Sequence, residues 1–480
     1  MLNCYKIYIK NNLHYLLYIL FIYYPLTLAK HDMWDGVIIE FASKIKNLSG
    51  LKAWFFESGW IFQYFQLKYF INIALYFNLN YKIINDLSIL IFGLLFIKEV
   101  EYISLTIFKL SKNSTLFVLC LLSIFPTWSV LLSSVLTFYF LCLVLSLLSL
   151  RFLHSNHLVL NVFSIILLLI IYNYNSLLSF IPILSYLYDN NIDDKGFKKP
   201  SYKTVIILIF AILYYVYFKI LHPPSGLYVG YNIIKLDKKF ISIFLNSLYG
   251  YSTFLILPIF LLLFVKKLTY KQNKQLFYIF VLFTSSIIPY TLVGRYVDIF
   301  SFIDWDYRHA FLISLPICIF FGILFDSSKL YINIYKIFIY FLHLSLLLSG
   351  FFVKFNRKIF EEDLINVLKK QKIVFKNSNI QIIGDNLPLP HIRPYESNYL
   401  FYKLNNSQNN WTSISNKYNP NNNIPIYIIN KHNYQLENVF IYEKINKKLI
   451  INIKVIGYKT KKDILLNFFN LNNNKSIVII

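Results

Sequence analysis

The chain has 480 residues, 57% of them hydrophobic and only 15% charged, with a mean hydropathy of +0.53. No soluble fold of this length has an interior large enough to hide that much apolar surface, so lipid is the expected solvent. The formal charge of +24 does not point to nucleic acid. The basic residues cluster in short loops, as the positive-inside rule requires, and no basic stripe has nucleic-acid motif spacing.

Lys6 and Lys10 precede the apolar run Leu13 to Ala29. This run reads as an uncleaved first anchor because many others follow, although Thr27-Leu28-Ala29 has the small-residue character of a cleavage site. A helix needs about 20 apolar residues to cross a hydrocarbon core of roughly 30 Å. Further runs at 82–98, 115–127, 134–151, 157–172, 175–188, 203–221, 243–265, 275–293, 309–326 and 332–353 then bring the count to about eleven. The fold expected is an all-α polytopic membrane protein over residues 1–353, followed by a small C-terminal α+β extracytoplasmic domain over residues 354–480.

The lysine-rich segments Val265 to Lys274 and Lys195 to Lys199 belong in the cytoplasm. Counting from them places the N-terminus inside and Thr27 to Trp60, Leu221 to Lys239, Gly294 to His309 and the tail outside. This parity holds if Phe62 to Asn78, interrupted by Gln63, Gln66, Lys68 and Asn72, lies along the outer interface as an amphipathic helix. An extra crossing there is the competing topology. The outer segments are long and most cytoplasmic ones short, which puts function outside.

Two outer clusters could carry chemistry. The first is His31-Asp32-Met33-Trp34-Asp35-Gly36, followed by Glu40 and, after Trp54, by Glu57. Carboxylates at the lip of a span, among aromatic rings, can act as a base toward an acceptor hydroxyl. A wet loop with interfacial Trp anchors is the plainer account. The second is Gly294-Arg295-Tyr296-Val297-Asp298, then Asp304-Trp305-Asp306-Tyr307-Arg308-His309. An Arg-His pair at a helix end suits a phosphate or pyrophosphate at the membrane surface, and a salt bridge tying the loop down is the alternative.

The loop His222 to Tyr231 reads as packing, and Phe125 to Ser129 as a turn lining the same outer vestibule. Cys4, Cys120, Cys142 and Cys318 lack metal or redox spacing and read as packing residues. Few charges fall inside the spans, mainly Asp86 and the Lys98-Glu99-Glu101 group. That argues against an ion-coupled transporter.

After Lys354 the chain turns Asn- and Lys-rich. A helix is expected over Glu361 to Lys370, with strands at 372–375, 380–383, 424–429, 439–442, 449–455 and 476–480. The segment Gly384 to Glu396 reads as an ordered connector, with His391, Arg393 and Glu396 as the residues that could touch a substrate.

The layout resembles the GT-C superfamily of membrane glycosyltransferases. An N-in first span, an acidic outer loop at Asp32 and Asp35 that continues into interfacial helices, and a many-span body with an outer C-terminal domain carry the resemblance. It implies a multi-pass protein of a bacterial inner or plasma membrane, a sugar donor linked to a polyprenyl phosphate or pyrophosphate, and a glycan or lipid acceptor.

By the same resemblance Asp32 or Asp35 is the candidate base, with His31, Trp34, Glu40 and Glu57 nearby. Arg295, Asp306, Arg308 and His309 are candidates for substrate binding, the cationic ones neutralising the departing lipid phosphate. The acids are spaced D-M-W-D rather than adjacent, which leaves the choice of base and any divalent metal open. A lipid-linked oligosaccharide polymerase or flippase, and a membrane scaffold whose tail binds a partner, are the competing classes.

Overall fold

The computed structural model describes residues 12–29, 32–46, 48–190, 198–225, 229, 234, 239–248, 269–299, 305–326, 330–370, 379–384, 411–415, 426–429 and 451–452. His31, the span expected at 243–265 beyond Leu248, half of the loop His222 to Tyr231, the segment Gly384 to Glu396 beyond its first residue, and the strands expected at 372–375, 439–442 and 476–480 lie outside the described residues. The chain divides into two compact units, residues 1–27 with 46–348 and residues 28–45 with 349–480.

The first unit is built of helices: α1 (Asn12–Leu28), α3 (Ser49–Glu57), α4 (Ile61–Tyr76), α5 (Tyr81–Thr106), α6 (Lys112–Leu122), α7 (Thr137–Leu153), α8 (Leu158–Ile171), α9 (Leu177–Asp189), α10 (Tyr202–Leu221), α11 (Lys239–Leu248), α12 (Tyr270–Leu292), α13 (Ser314–Leu324) and the first part of α14 (Leu330–Lys370). The helix α2 (Gly36–Ile45) belongs to the second unit. Polar caps set several starts: the Asn80 side chain accepts from Lys82 N–H, Ser201 from Thr204 N–H, and Thr269 with Gln272 forms a reciprocal capping box.

Five helical stretches are long and apolar enough to cross a bilayer: Ser134–Leu153, Tyr202–Leu221, Tyr270–Leu292, Tyr307–Leu324 and Tyr335–Phe355. The pair Lys112–Leu122 and Pro126–Leu132, bent by 42°, makes a sixth if it counts as one broken span. The segments expected at 157–172 and 175–188 form helices of 14 and 13 residues, shorter than the ~20 that a bilayer takes. Along α10 the faces carrying Leu208, Ile209, Ile212 and Leu213 are exposed, as lipid-facing helix surfaces are.

Two ion pairs lie inside the bundle among the described residues. Lys82 Nζ lies 2.6 Å from Asp86 Oδ2 and donates to the Leu26 carbonyl, and Arg151 meets Glu99 at 2.9 Å. The turn at 125–129 lines no vestibule, contrary to the reading from sequence. Pro126 opens a 3-10 turn there that buries Trp128 against Phe96, Phe140 and Phe311. An apolar ring with one N–H gains most by burial once that N–H is satisfied, here by the Leu122 carbonyl at 2.5 Å. Helix α4 also departs from expectation. Its inward stripe Gln63, Tyr64, Leu67, Ile71 and Ala74 contains a glutamine, while Phe65, Tyr69 and Tyr76 are exposed, so polar and apolar residues do not separate onto two faces.

In the second unit α14 runs unbroken through the boundary expected at Val353 and Lys354. The described residues after Lys370 are four short strands, β1 (Asn379–Gly384), β2 (Trp411–Ser415), β3 (Ile426–Ile429) and β4 (Ile451–Asn452). They pair in parallel in the order β2-β1-β3-β4.

Candidate functional site

The acidic turn belongs to the second unit and is closed by local bonds. Asp32 N–H donates to Glu40 Oε2 at 2.8 Å, Met33 N–H donates to Asp32 Oδ1 at 2.8 Å, and Lys44 Nζ sits 3.2 Å from Glu40 Oε1. Trp34 takes the left-handed backbone conformation, φ 51°, that turns the chain into α2. The first residues of that helix follow at once, so the Asp32 carboxylate lies over Gly36. A methyl group there would come within 2.0 Å of Asp32 Oδ1, and only glycine fits.

Asp32, Asp35 and Glu40 are all buried. Lys354, in the same unit, holds its ammonium 5.5 Å from the centre of the Trp34 ring. The turn therefore presents two carboxylates at a helix N-terminus, where the backbone dipole favours negative charge.

The second cluster lies in the first unit and opens into a cavity of about 230 Å³. Helix α12 ends there in a Schellman arrangement: Gly294, with φ 76°, donates to the Thr291 carbonyl and Arg295 N–H donates to the Tyr290 carbonyl. That cap places Arg295 at the cavity beside Tyr290. Pro289, one turn before, cannot donate to the Ser285 carbonyl, and the Ser179 hydroxyl donates to it instead at 2.9 Å. The 3-10 turn Trp305–Phe311 delivers Arg308 and His309 to the same space.

The guanidinium and imidazole of the Arg-His pair are bonded to each other. Arg308 Nε–H donates to His309 Nε2 at 3.3 Å, and His309 Nδ1 lies 3.1 Å from the Tyr296 carbonyl, which only an N–H can bond. His309 with that pattern is a neutral imidazole. It orients the guanidinium and is not itself the cation.

A ladder of rings forms the opposing chemistry. Tyr290 lies 4.5 Å from the His309 ring and shares a 2.5 Å hydrogen bond with Tyr174. Tyr174 stacks on Tyr139 at 4.5 Å, and Trp60 meets Tyr139 edge-on at 4.9 Å. Burial, reinforced by Tyr290, pushes the Tyr174 phenol well above its ordinary range, so it stays a neutral donor and acceptor. Asn173 fixes the chain ahead of Trp60 by donating to the Gly59 carbonyl at 2.9 Å and to the Tyr214 hydroxyl at 3.0 Å.

Among the residues expected from sequence, Arg295, Arg308 and His309 share this cavity. Asp32, Trp34, Asp35 and Glu40 share the acidic turn of the other unit. Glu57 ends α3, its carbonyl accepting from Ser225 N–H at 2.9 Å. The backbone of Asp306 lies in the 3-10 turn, and its side chain is outside the described residues.

Sequence reasoning missed Tyr139, Tyr174, Tyr290 and Lys219, which also line the cavity. Tyrosine is too abundant here, at 40 residues, for any one to stand out. Lys219 did carry a signal, as a lone cation two residues before the end of an apolar run. Among the described residues no three His, Cys, Asp or Glu side chains converge as metal ligands.

Comparison with protein-family models, with curated proteins and with solved structures finds no match for this chain.

Proposed function

We propose that the protein is a membrane glycosyltransferase of GT-C type that moves a sugar from a polyprenyl phosphate or pyrophosphate carrier to an outer-face glycan or lipid. The observation that carries this reading is the cavity lined by Lys219, Arg295 and Arg308 together with Trp60, Tyr139 and Tyr174. Fixed cations stabilise the charge that develops on a departing lipid phosphate, and aromatic faces suit a sugar ring. In this scheme Asp32 or Asp35 activates the acceptor, Glu40 holds the turn and His309 positions Arg308. The proposal includes about eleven spans, a cytoplasmic N-terminus and an extracytoplasmic C-terminal α+β domain.

The test is to replace Asp32 and Asp35 separately with Asn and to measure surface glycan in cells. Loss of glycan from one or both variants, at normal protein level, supports the assignment. Normal glycan from both ends it.

A second reading has its own support. Among the described residues no carboxylate lines the cavity, as suits a site that holds a lipid-linked sugar without activating an acceptor, in a polymerase or flippase. Glycan lost with Arg308→Met but kept with both Asn variants would select that class.

A further inference from the structure

Lys219 is the cavity's third cation and comes from a different element than the two arginines. The last turn of α10, Val216–Leu221, is a π-helical turn, and such widened turns recur at functional sites because they re-aim side chains that an α-helix would point elsewhere. Lys219 lines the cavity with Arg295 and Arg308, and among the described residues no aspartate or glutamate does. Among the described residues no carboxylate lies within ion-pair distance of Lys219. An ammonium drawn partly out of water in this way, with no carboxylate beside it among the described residues, suits an anionic ligand.

The number of charges bears on which carrier that anion belongs to. A sugar on a lipid monophosphate is a phosphodiester with a single negative charge. The same sugar on a lipid diphosphate carries two, on adjacent phosphorus centres. One guanidinium pairs with one phosphoryl group through paired hydrogen bonds, whereas an ammonium acts as a point charge and pairs with a phosphate without demanding a fixed plane. A site that takes its two arginines and its lysine from three different segments offers a separate cation for each phosphoryl group.

We propose that Lys219 binds the second phosphoryl group of a diphosphate ligand, which makes the cavity selective for a lipid diphosphate over a lipid monophosphate. This rests on the carrier-binding role given to the cavity above, and it decides between the two carriers that role leaves open.

The experiment uses the full chain in detergent and measures binding of farnesyl diphosphate, farnesyl monophosphate and inorganic pyrophosphate. Wild type should hold farnesyl diphosphate about tenfold or more tighter than the monophosphate, the size of one charge-assisted contact. Lys219→Met should remove most of that preference, and an unfolding temperature in detergent close to that of wild type shows that the variant is folded. Lys219→Arg should restore it.

Raising salt should weaken wild-type diphosphate binding more steeply than monophosphate binding, a reading that needs no variant. Inorganic pyrophosphate binding as tightly as farnesyl diphosphate would mark a free diphosphate as the ligand, and tighter farnesyl diphosphate a lipid-borne one. Either keeps the diphosphate preference. Equal affinities for the two farnesyl ligands, or a Lys219→Met loss shared equally by both, overturns the proposal while the carrier-binding role stands. Failure of wild type to bind any of the three overturns both.

Discussion

The acidic turn and the cationic cavity differ in how far along the chain their parts are gathered. Asp32, Glu40 and Lys44 bond to one another within one short stretch, with Gly36 under the Asp32 carboxylate, so the turn is specified locally. The cavity draws Trp60, Tyr139, Tyr174, Lys219, Tyr290 and Arg308 from six different segments. A locally closed motif depends on a few backbone angles, whereas a gathered one depends on the packing of every helix that contributes to it. Damage to the turn should therefore be confined to it, and damage to the helix bundle should reach the cavity.

The strongest break of that comparison acts on chemistry. Asp32→Asn or Asp35→Asn, whichever removes the base, should lower transfer by about 10²–10⁴-fold, the usual contribution of a general base. Binding of farnesyl diphosphate should be unchanged in the same variant, because the cavity lies in the other unit. Rate and affinity measured side by side check this, and parallel losses would mean that the turn supports the cavity.

Next is the buried pair in α5. Lys82→Met leaves Asp86 as an uncompensated buried charge and should destabilise the protein by about 3–5 kcal/mol. Pairing it with Asp86→Leu should recover most of that loss, as read from thermal unfolding in detergent. The ligand-binding defect should follow the stability defect.

Gly36→Ala sets a methyl group against the Asp32 carboxylate and should cost about 1–3 kcal/mol. Its mark should be a loss of transfer with ligand binding retained, the signature of a local motif. Asn173→Leu is the complementary case. It removes the bonds to Gly59 and Tyr214 and should cost about 1–2 kcal/mol, with the loss appearing in ligand affinity because Trp60 is no longer held.

The smallest effect concerns pH. His154 follows α7, with Ser185 at 3.2 Å, Asp189 at 3.7 Å and Tyr188 stacked on its ring at 4.9 Å. Burial lowers its pKa below the ordinary 6.5, Lys203 acts in the same direction, and Asp189 opposes them. The unfolded chain therefore takes up this proton before the folded one does. The histidine's contribution to stability is complete above its unfolded pKa and is lost as pH falls below about 6.5 toward the folded value. Unfolding temperatures compared between about pH 7.5 and 5.5 should fall less in His154→Gln than in wild type, and equal falls would remove His154 from the account.

Glycine and proline made part of the site legible. Gly294 after an apolar run marks a helix end, and the structure closes it with a Schellman cap that sets Arg295 at the cavity. Asp32-Met33-Trp34-Asp35-Gly36 announces a turn into a helix for the same kind of reason. The ring ladder was not legible, because contacts such as Tyr139 on Tyr174 and Tyr174 with Tyr290 follow from helix packing and not from spacing. Nor was the buried turn at Trp128, whose sequence reads equally well as a surface loop.

Composition and apolar run length alone determined that the chain contains several helices long and apolar enough for a bilayer, since hydrophobic surface on that scale has only one solvent available to it. Only the tertiary structure decided that Lys219 joins Arg295 and Arg308, that His309 is a neutral partner of Arg308, and that α14 runs on through the expected boundary. Those outcomes depend on which helix faces meet, and side chains far apart in sequence carry no local record of it.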